Sequence, residues 1–180
     1  MTNKRKTNSV TNLKAALIDL LLEMEYSKIT IGNITQRANV SRGTFYQHFL
    51  DKDDLAYSIG TETMQRFWEI LAQGNLDKED MLLKALLLIK NDYKHFKAIS
   101  KAPHVQFKDK VQQLICDLIN NNQLLEKRSR KKTKISDEIV IKAFSTSFET
   151  IISSWIDNDL SESPEKVVDN IIKIEQLFWK

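Results

Sequence analysis

Residues 30–52 read Thr30-Ile-Gly-Asn-Ile-Thr-Gln-Arg-Ala-Asn-Val-Ser-Arg-Gly-Thr-Phe-Tyr-Gln-His-Phe-Leu-Asp-Lys52, and the fold follows from how this stretch divides. Thr30 can cap a short helix over residues 31–38. Asn39-Val40 interrupts it, and Ser41 can cap a second short helix over residues 42–49. Two helices of this length are unstable in isolation and persist only when packed. The packing positions are present: Ile34, Ala38, Val40, Phe45 and Phe49 can meet Leu17 and Leu21 of a preceding helix. Asn39 stands where the chain must turn sharply, and Asn is the best residue after Gly for a left-handed backbone. Thr35 takes the slot facing the second helix, where only a small side chain allows close approach. This is the pattern of a helix-turn-helix, whose second helix enters a DNA major groove by its N-terminal end. An ordinary helical hairpin with a polar surface is the alternative.

The outward face of the second helix carries the chemistry for reading DNA. Arg42 can bridge guanine O6 and N7, Gln47 can bridge adenine N6 and N7, and Thr44 can touch a thymine methyl or a phosphate. His48 and the hydroxyl of Tyr46 project alongside, and Gly43 allows close backbone approach. Thr30 and Lys52 stand at helix N-termini, where free N–H groups suit a phosphate.

Working outward, hydrophobic spacing predicts helices almost throughout. Ser9 can cap a first helix with Leu13, Ala16, Leu17, Leu20, Leu21 and Met24 on one face, ending near Glu25. Asp51 caps the next long helix, which is expected to stop at Gly74-Asn75. Further helices are expected from Asp77 to Phe96, from Pro103 to about Leu125, from Ser136 through Trp155, and from Ser163-Pro164-Glu165 onward. The basic run Lys127–Lys134 between them reads as a solvated loop. The reading is all-α, with an N-terminal DNA-binding domain over residues 1–52 and a helical domain over residues 53–180.

Composition agrees. Four Gly and two Pro in 180 residues are too few for the many turns of a sandwich or barrel. One cysteine, Cys116, excludes an internal disulfide and makes a reducing cytoplasm the expected compartment. No apolar run is long enough to span a bilayer, so no membrane association is expected. Residues 1–50 hold seven basic and three acidic side chains, against an acidic stretch at Asp157, Asp159, Glu162 and Glu165, which suits a polyanion binder carrying a second module. His48, His95 and His104 are not at metal-ligand spacing, and no nucleophile or phosphate-loop motif stands out. Neither catalysis nor a metal or cofactor is expected.

Val40-Ser41-Arg42-Gly43-Thr44-Phe45-Tyr46-Gln47-His48-Phe49, followed by Asp51-Lys52-Asp53-Asp54-Leu55, resembles the DNA-binding domain of the TetR family of bacterial regulators over roughly residues 8–57. Asn39 replaces the usual Gly and Thr35 the usual Ala, and both meet the same steric requirement. The resemblance implies a homodimer that places one second helix in each half-site of a near-palindromic operator. It implies phosphate contacts from Thr30, Tyr46, His48 and Lys52, and base contacts from Arg42, Thr44 and Gln47. The stretch from Trp155 to Pro164-Glu165 also resembles a subgroup with short regulatory domains, in which some members act through a partner protein and some are activators.

The last two helices, rich in Ile, Phe and Trp, are the expected dimer interface. Met64, Phe67, Trp68, Tyr93, Phe96, Phe107, Cys116, Phe144 and Phe148 are candidates to line a pocket for a small apolar effector, with plain core packing as the alternative. The expected function is a ligand-responsive repressor. An activator controlled by a partner protein and a helical adaptor that does not use DNA are the other readings.

Overall fold

The computed structural model describes residues 2–71, 77–120 and 136–179. Among these it holds nine α-helices: α1 (Thr2–Glu23), α2 (Ile31–Arg37), α3 (Arg42–Tyr46), α4 (Lys52–Leu71), α5 (Lys78–Asn91), α6 (Tyr93–Ile99), α7 (Phe107–Asn120), α8 (Asp137–Asp157) and α9 (Pro164–Trp179). Short 3-10 turns occupy Tyr26–Lys28 and Pro103–Val105. No described helix is long and apolar enough to cross a membrane. The expected stop at Gly74-Asn75, the helix end near Leu125 and the basic run Lys127–Lys134 lie outside the described residues.

The chain divides into two compact units, Met1–Gln65 with Lys94–Phe107, and Arg66–Tyr93 with Lys108–Lys180. In the first, α1 packs on α2 and α2 on α3. Leu13, Leu17, Leu21, Ile29, Ile34, Phe45, Leu55 and Ile59 are all but inaccessible to solvent, as are Phe96, Ile99 and Val105 from the second segment. Of the apolar positions read along α1, Leu13, Ala16, Leu17, Leu20 and Leu21 form its buried face, whereas Met24 falls just past the helix end and is exposed. In the second unit, α9 packs on both α5 and α8. Its core includes Leu86, Ile89, Ile115, Leu118, Phe144, Ile152, Ile156, Val167 and Ile171.

Most expected helix starts hold at atomic detail. Asp51 accepts the backbone N–H of Asp54 at 2.8 Å, Asp77 that of Asp80 at 2.9 Å, Ser136 that of Ile139 at 3.4 Å and Ser163 that of Lys166 at 3.3 Å. Outside the hairpin, three boundaries differ. The first helix begins at Thr2, so Ser9 lies inside it, because no Gly or Pro in residues 2–8 interrupts it. The expected helix from Asp77 to Phe96 breaks at Asp92 (φ −120°, ψ 38°), whose carboxylate accepts a 2.7 Å bond from Arg66. Pro103 opens a single 3-10 turn that buries Val105, and Gln106 at φ 55° redirects the chain before α7 begins at Phe107.

Candidate nucleic-acid interface

The hairpin of α2 and α3 is held by bonds that its own sequence supplies. Thr30 caps α2 reciprocally with Asn33: Thr30 Oγ1 accepts the Asn33 N–H at 3.1 Å, and Asn33 Oδ1 accepts the Thr30 N–H at 3.0 Å. At the other end Asn39 sits at φ 54°, the left-handed conformation expected of it. The Val40 N–H then reaches back to the Thr35 carbonyl at 3.0 Å, a Schellman closure. Thr35 is buried and donates its hydroxyl to the Ile31 carbonyl at 2.9 Å, so a polar group in a narrow gap is satisfied locally. Ser41 caps α3, accepting the Thr44 N–H at 3.0 Å.

The second helix is shorter than the 42–49 expected. After Tyr46 the His48 N–H bonds to the Phe45 carbonyl at 2.9 Å, tightening the last turn. Phe45 anchors it, fully buried, with Tyr46 edge-on at 5.5 Å and Phe49 at 5.9 Å between ring centroids. Gly43 and Gln47 are exposed, Tyr46 is 59% exposed, and Thr44 and His48 are half-buried. Thr44 spends its hydroxyl on Ser41 at 2.9 Å, and His48 leans on Phe49 at 6.4 Å.

The cations of this segment differ in what holds them. Lys14 pairs with Glu62, Lys28 with Glu25 at 3.2 Å, and Arg37 makes a two-pronged bridge to Glu23 at 2.8 and 2.6 Å. The bonds from Arg37 hold the Glu23 carboxyl below the usual carboxylate range. Lys52, expected at a phosphate, is turned onto the protein in the free chain. Its ammonium donates to the Tyr26 and Ile29 carbonyls, each at 2.8 Å, and lies 4.4 Å from the centre of the Tyr26 ring. Among described side chains of residues 8–52, Arg42 is the cation with neither a carboxylate nor a carbonyl partner.

Residues beyond those read from sequence shape this face. The Tyr26 hydroxyl donates to Asp53 at 2.5 Å, and His104 sits 3.6 Å from the same carboxylate and 5.6 Å from the Tyr26 ring centroid. Burial, reinforced by the Asp53 carboxylate, pushes the Tyr26 hydroxyl well above the usual phenol range. No local pattern links positions 26, 53 and 104. Gly32 does carry a signal: a glycine in the first turn of a helix is a poor helix former and needs a reason.

The pocket candidates fall in different units. Met64, Phe96 and Phe107 belong to the first, where Phe96 and Phe107 meet edge-on at 5.9 Å. Phe67, Trp68, Tyr93, Cys116, Phe144 and Phe148 belong to the second. There Phe144 meets Phe148 at 6.2 Å and Phe178 at 5.7 Å, Cys116 Sγ lies 3.2 Å from Ser145 Oγ, and the Tyr93 hydroxyl donates to Asp159.

Two family models match the chain. The family of bacterial regulatory proteins, tetR family, matches residues 13–59, and that of transcriptional regulator C-terminal regions matches residues 77–176. The fatty acid metabolism regulator protein of Bacillus subtilis is 27% identical over 97 residues, 54% of this chain and 48% of that protein. Among the curated relatives it matches, the chain spans from 15% to about half of their length. A TetR transcriptional regulator from Streptococcus agalactiae superposes with a TM-score of 0.70 at 20% identity, covering 96% of each chain. The regulator FadR from Bacillus subtilis, solved with stearoyl-CoA, superposes with a TM-score of 0.57 at 13% identity, covering 91% of this chain and 96% of that one. These likenesses extend the shared fold over nearly the whole chain.

Proposed function

Since the chain belongs to the TetR family of bacterial transcriptional regulators, we propose that it is a ligand-responsive repressor that binds a near-palindromic operator as a homodimer in the cytoplasm. The observation that carries the reading is the uncommitted donor set on one face of a capped, packed hairpin. Arg42, Tyr46 and Gln47 make no side-chain hydrogen bond or ion pair among the described residues, while Lys14, Lys28, Arg37 and Lys52 are each engaged by a carboxylate or by backbone carbonyls. Unspent donors on a rigid element are what direct readout requires. Arg42, Thr44 and Gln47 are assigned to bases, Thr30, Tyr46 and His48 to phosphates, and Gly43 to close backbone approach. Lys52 contributes by bracing the turn that leads into Thr30.

Recognition is assigned to residues 1–52 and regulation and dimerisation to residues 53–180, of which 53–65 and 94–107 fold with the recognition helices. Dimerisation through α8 and α9 is supported by Ile139 and Leu177, which are 61% and 82% exposed on those two helices. The effector is assigned to apolar small molecules, bound among the aromatic side chains of the second unit. Stearoyl-CoA, present in the Bacillus subtilis FadR structure, is the first compound to test for release of DNA.

Selection of bound duplexes from a random pool at near-physiological salt tests the central claim. A palindromic consensus with half-sites about one helical turn apart is expected. Enrichment no better than non-specific binding would refute it.

A further inference from the structure

Gly32 is the second residue of α2, in the middle of its first turn, and its φ is not in the left-handed region. Nothing in the backbone calls for glycine there, and alanine would favour the helix. The reason lies across the hairpin. A Cβ built on Gly32 would stand 2.9 Å from Nη2 and 3.9 Å from Cζ of Arg42, with Thr30 Oγ1 at 3.5 Å. The guanidinium of Arg42, launched from the first position of α3, therefore reaches back and rests on the bare backbone of α2 beside its cap. Arg42 is exposed and has no bonded partner among the described residues. Its resting place is set by the space that Gly32 leaves open.

We propose that Gly32 is a positioning residue for DNA recognition: by leaving the first turn of α2 without a side chain, it sets the direction in which Arg42 meets the operator. This rests on the reading that Arg42 touches DNA. A pre-set donor makes its contact without first being ordered, so affinity and base preference both depend on where the free side chain rests. At 2.9 Å a β-carbon is nearer than real contacts allow, so alanine at position 32 must displace the guanidinium. The atom displaced is the end of a flexible side chain, so the fold itself loses nothing and the helix gains.

The test is a double-mutant cycle of wild type, Gly32→Ala, Arg42→Ala and both together. Each protein is assayed for melting temperature, for affinity on the selected duplex, and on duplexes changed at each half-site position. Gly32→Ala is expected to melt at or above wild type and to bind the selected duplex about tenfold more weakly, a fraction of what one bidentate base contact supplies. Its change in base preference should fall at the positions that Arg42→Ala relaxes, and its effect should vanish in the Arg42→Ala background. Unchanged affinity and preference would overturn the inference. So would an effect that survives undiminished without Arg42, which would mean that Gly32 meets DNA directly, or a lowered melting temperature. If wild type itself enriches no duplex, the functional reading and this inference fall together; if wild type enriches one and Gly32→Ala is neutral, only this inference falls.

Discussion

Replacing Lys52 by Met keeps the apolar stem and removes the ammonium. The structure assigns that ammonium two charge-assisted bonds, to the carbonyls of Tyr26 and Ile29 at 2.8 Å each, and a place 4.4 Å from the Tyr26 ring centre. Hydrogen bonds to charged groups contribute about 1.5–3 kcal/mol net when buried. This site is half-buried and the freed carbonyls can turn to water, so the pair together is worth about 2 kcal/mol. For a unit of this size that corresponds to a fall in melting temperature of about 10 °C. Salt dependence then separates bracing from phosphate contact. A lysine that neutralises a phosphate contributes about 0.9 to the slope of log K against log salt. Lys52→Met is expected to lower the melting temperature while leaving that slope parallel to wild type. A slope reduced by about 1 per subunit with an unchanged melting temperature would show that the ammonium leaves the carbonyls for DNA, and the bracing argument would be wrong.

Other substitutions probe the hairpin. Thr35→Leu exchanges the hydroxyl for two carbons, enlarging a buried side chain by one heavy atom and removing its bond to the Ile31 carbonyl. It should cost about 2 kcal/mol in urea denaturation; a neutral result would mean that the site is roomy. Asn39→Gly should be at least as stable as wild type, whereas Asn39→Val, β-branched at φ 54°, should lose about 1–2 kcal/mol. Glu23 is held below its ordinary value of 4.5 by Arg37, so the unfolded chain binds more protons between the folded and unfolded values. The bridge therefore stabilises above about pH 4.5 and is lost as pH falls through the folded value. The melting difference between wild type and Arg37→Met should be constant near neutrality and close below pH 4.5; a difference that persists in acid would assign it to packing.

What was legible in the sequence was what local chemistry decides. A capping oxygen acts on an N–H three residues away, so Thr30, Ser41, Asp51, Asp77, Ser136 and Ser163 could be read one by one, as could the left-handed Asn39. The break at Asp92 was not legible, because its carboxylate is held by Arg66, 26 positions earlier. The inward turn of Lys52 depends on carbonyls 23 and 26 positions away. Spacing placed Lys52 correctly at a helix N-terminus but could not say that the protein's own carbonyls would claim its ammonium. Of the candidate pocket residues, Met64, Phe67, Phe96, Phe107, Phe144 and Phe148 are buried and Trp68, Tyr93 and Cys116 are half-buried. Their distribution over two units was not legible, since it depends in part on the second segment of the first unit joining it from position 94.

The spent cations make a last prediction about how this surface finds its operator. Counterion release counts charges delivered to phosphates, and a cation already neutralised by a carboxylate delivers little. Lys28 and Arg37 are both committed, the first to Glu25 at 3.2 Å and the second to Glu23 through two bonds. Lys28→Ala and Arg37→Ala should then leave the salt slope within about 0.3 of wild type, whereas Arg42→Ala, which removes a charge delivered to the DNA groove, should reduce it by more than that. Full neutralisation of one phosphate sets the ceiling at about 0.9 per subunit. Arg42→Ala should also relax base preference, because the same guanidinium reads as well as attracts. The measurement is a titration of the selected duplex and a scrambled one from low to high salt, with each variant. Equal slopes for all three variants would mean that Arg42 is no more available than its paired neighbours, and the charge accounting would no longer support the reading of this face. A slope changed by Arg42→Ala with base preference intact would keep the surface and move Arg42 from the bases to the phosphates.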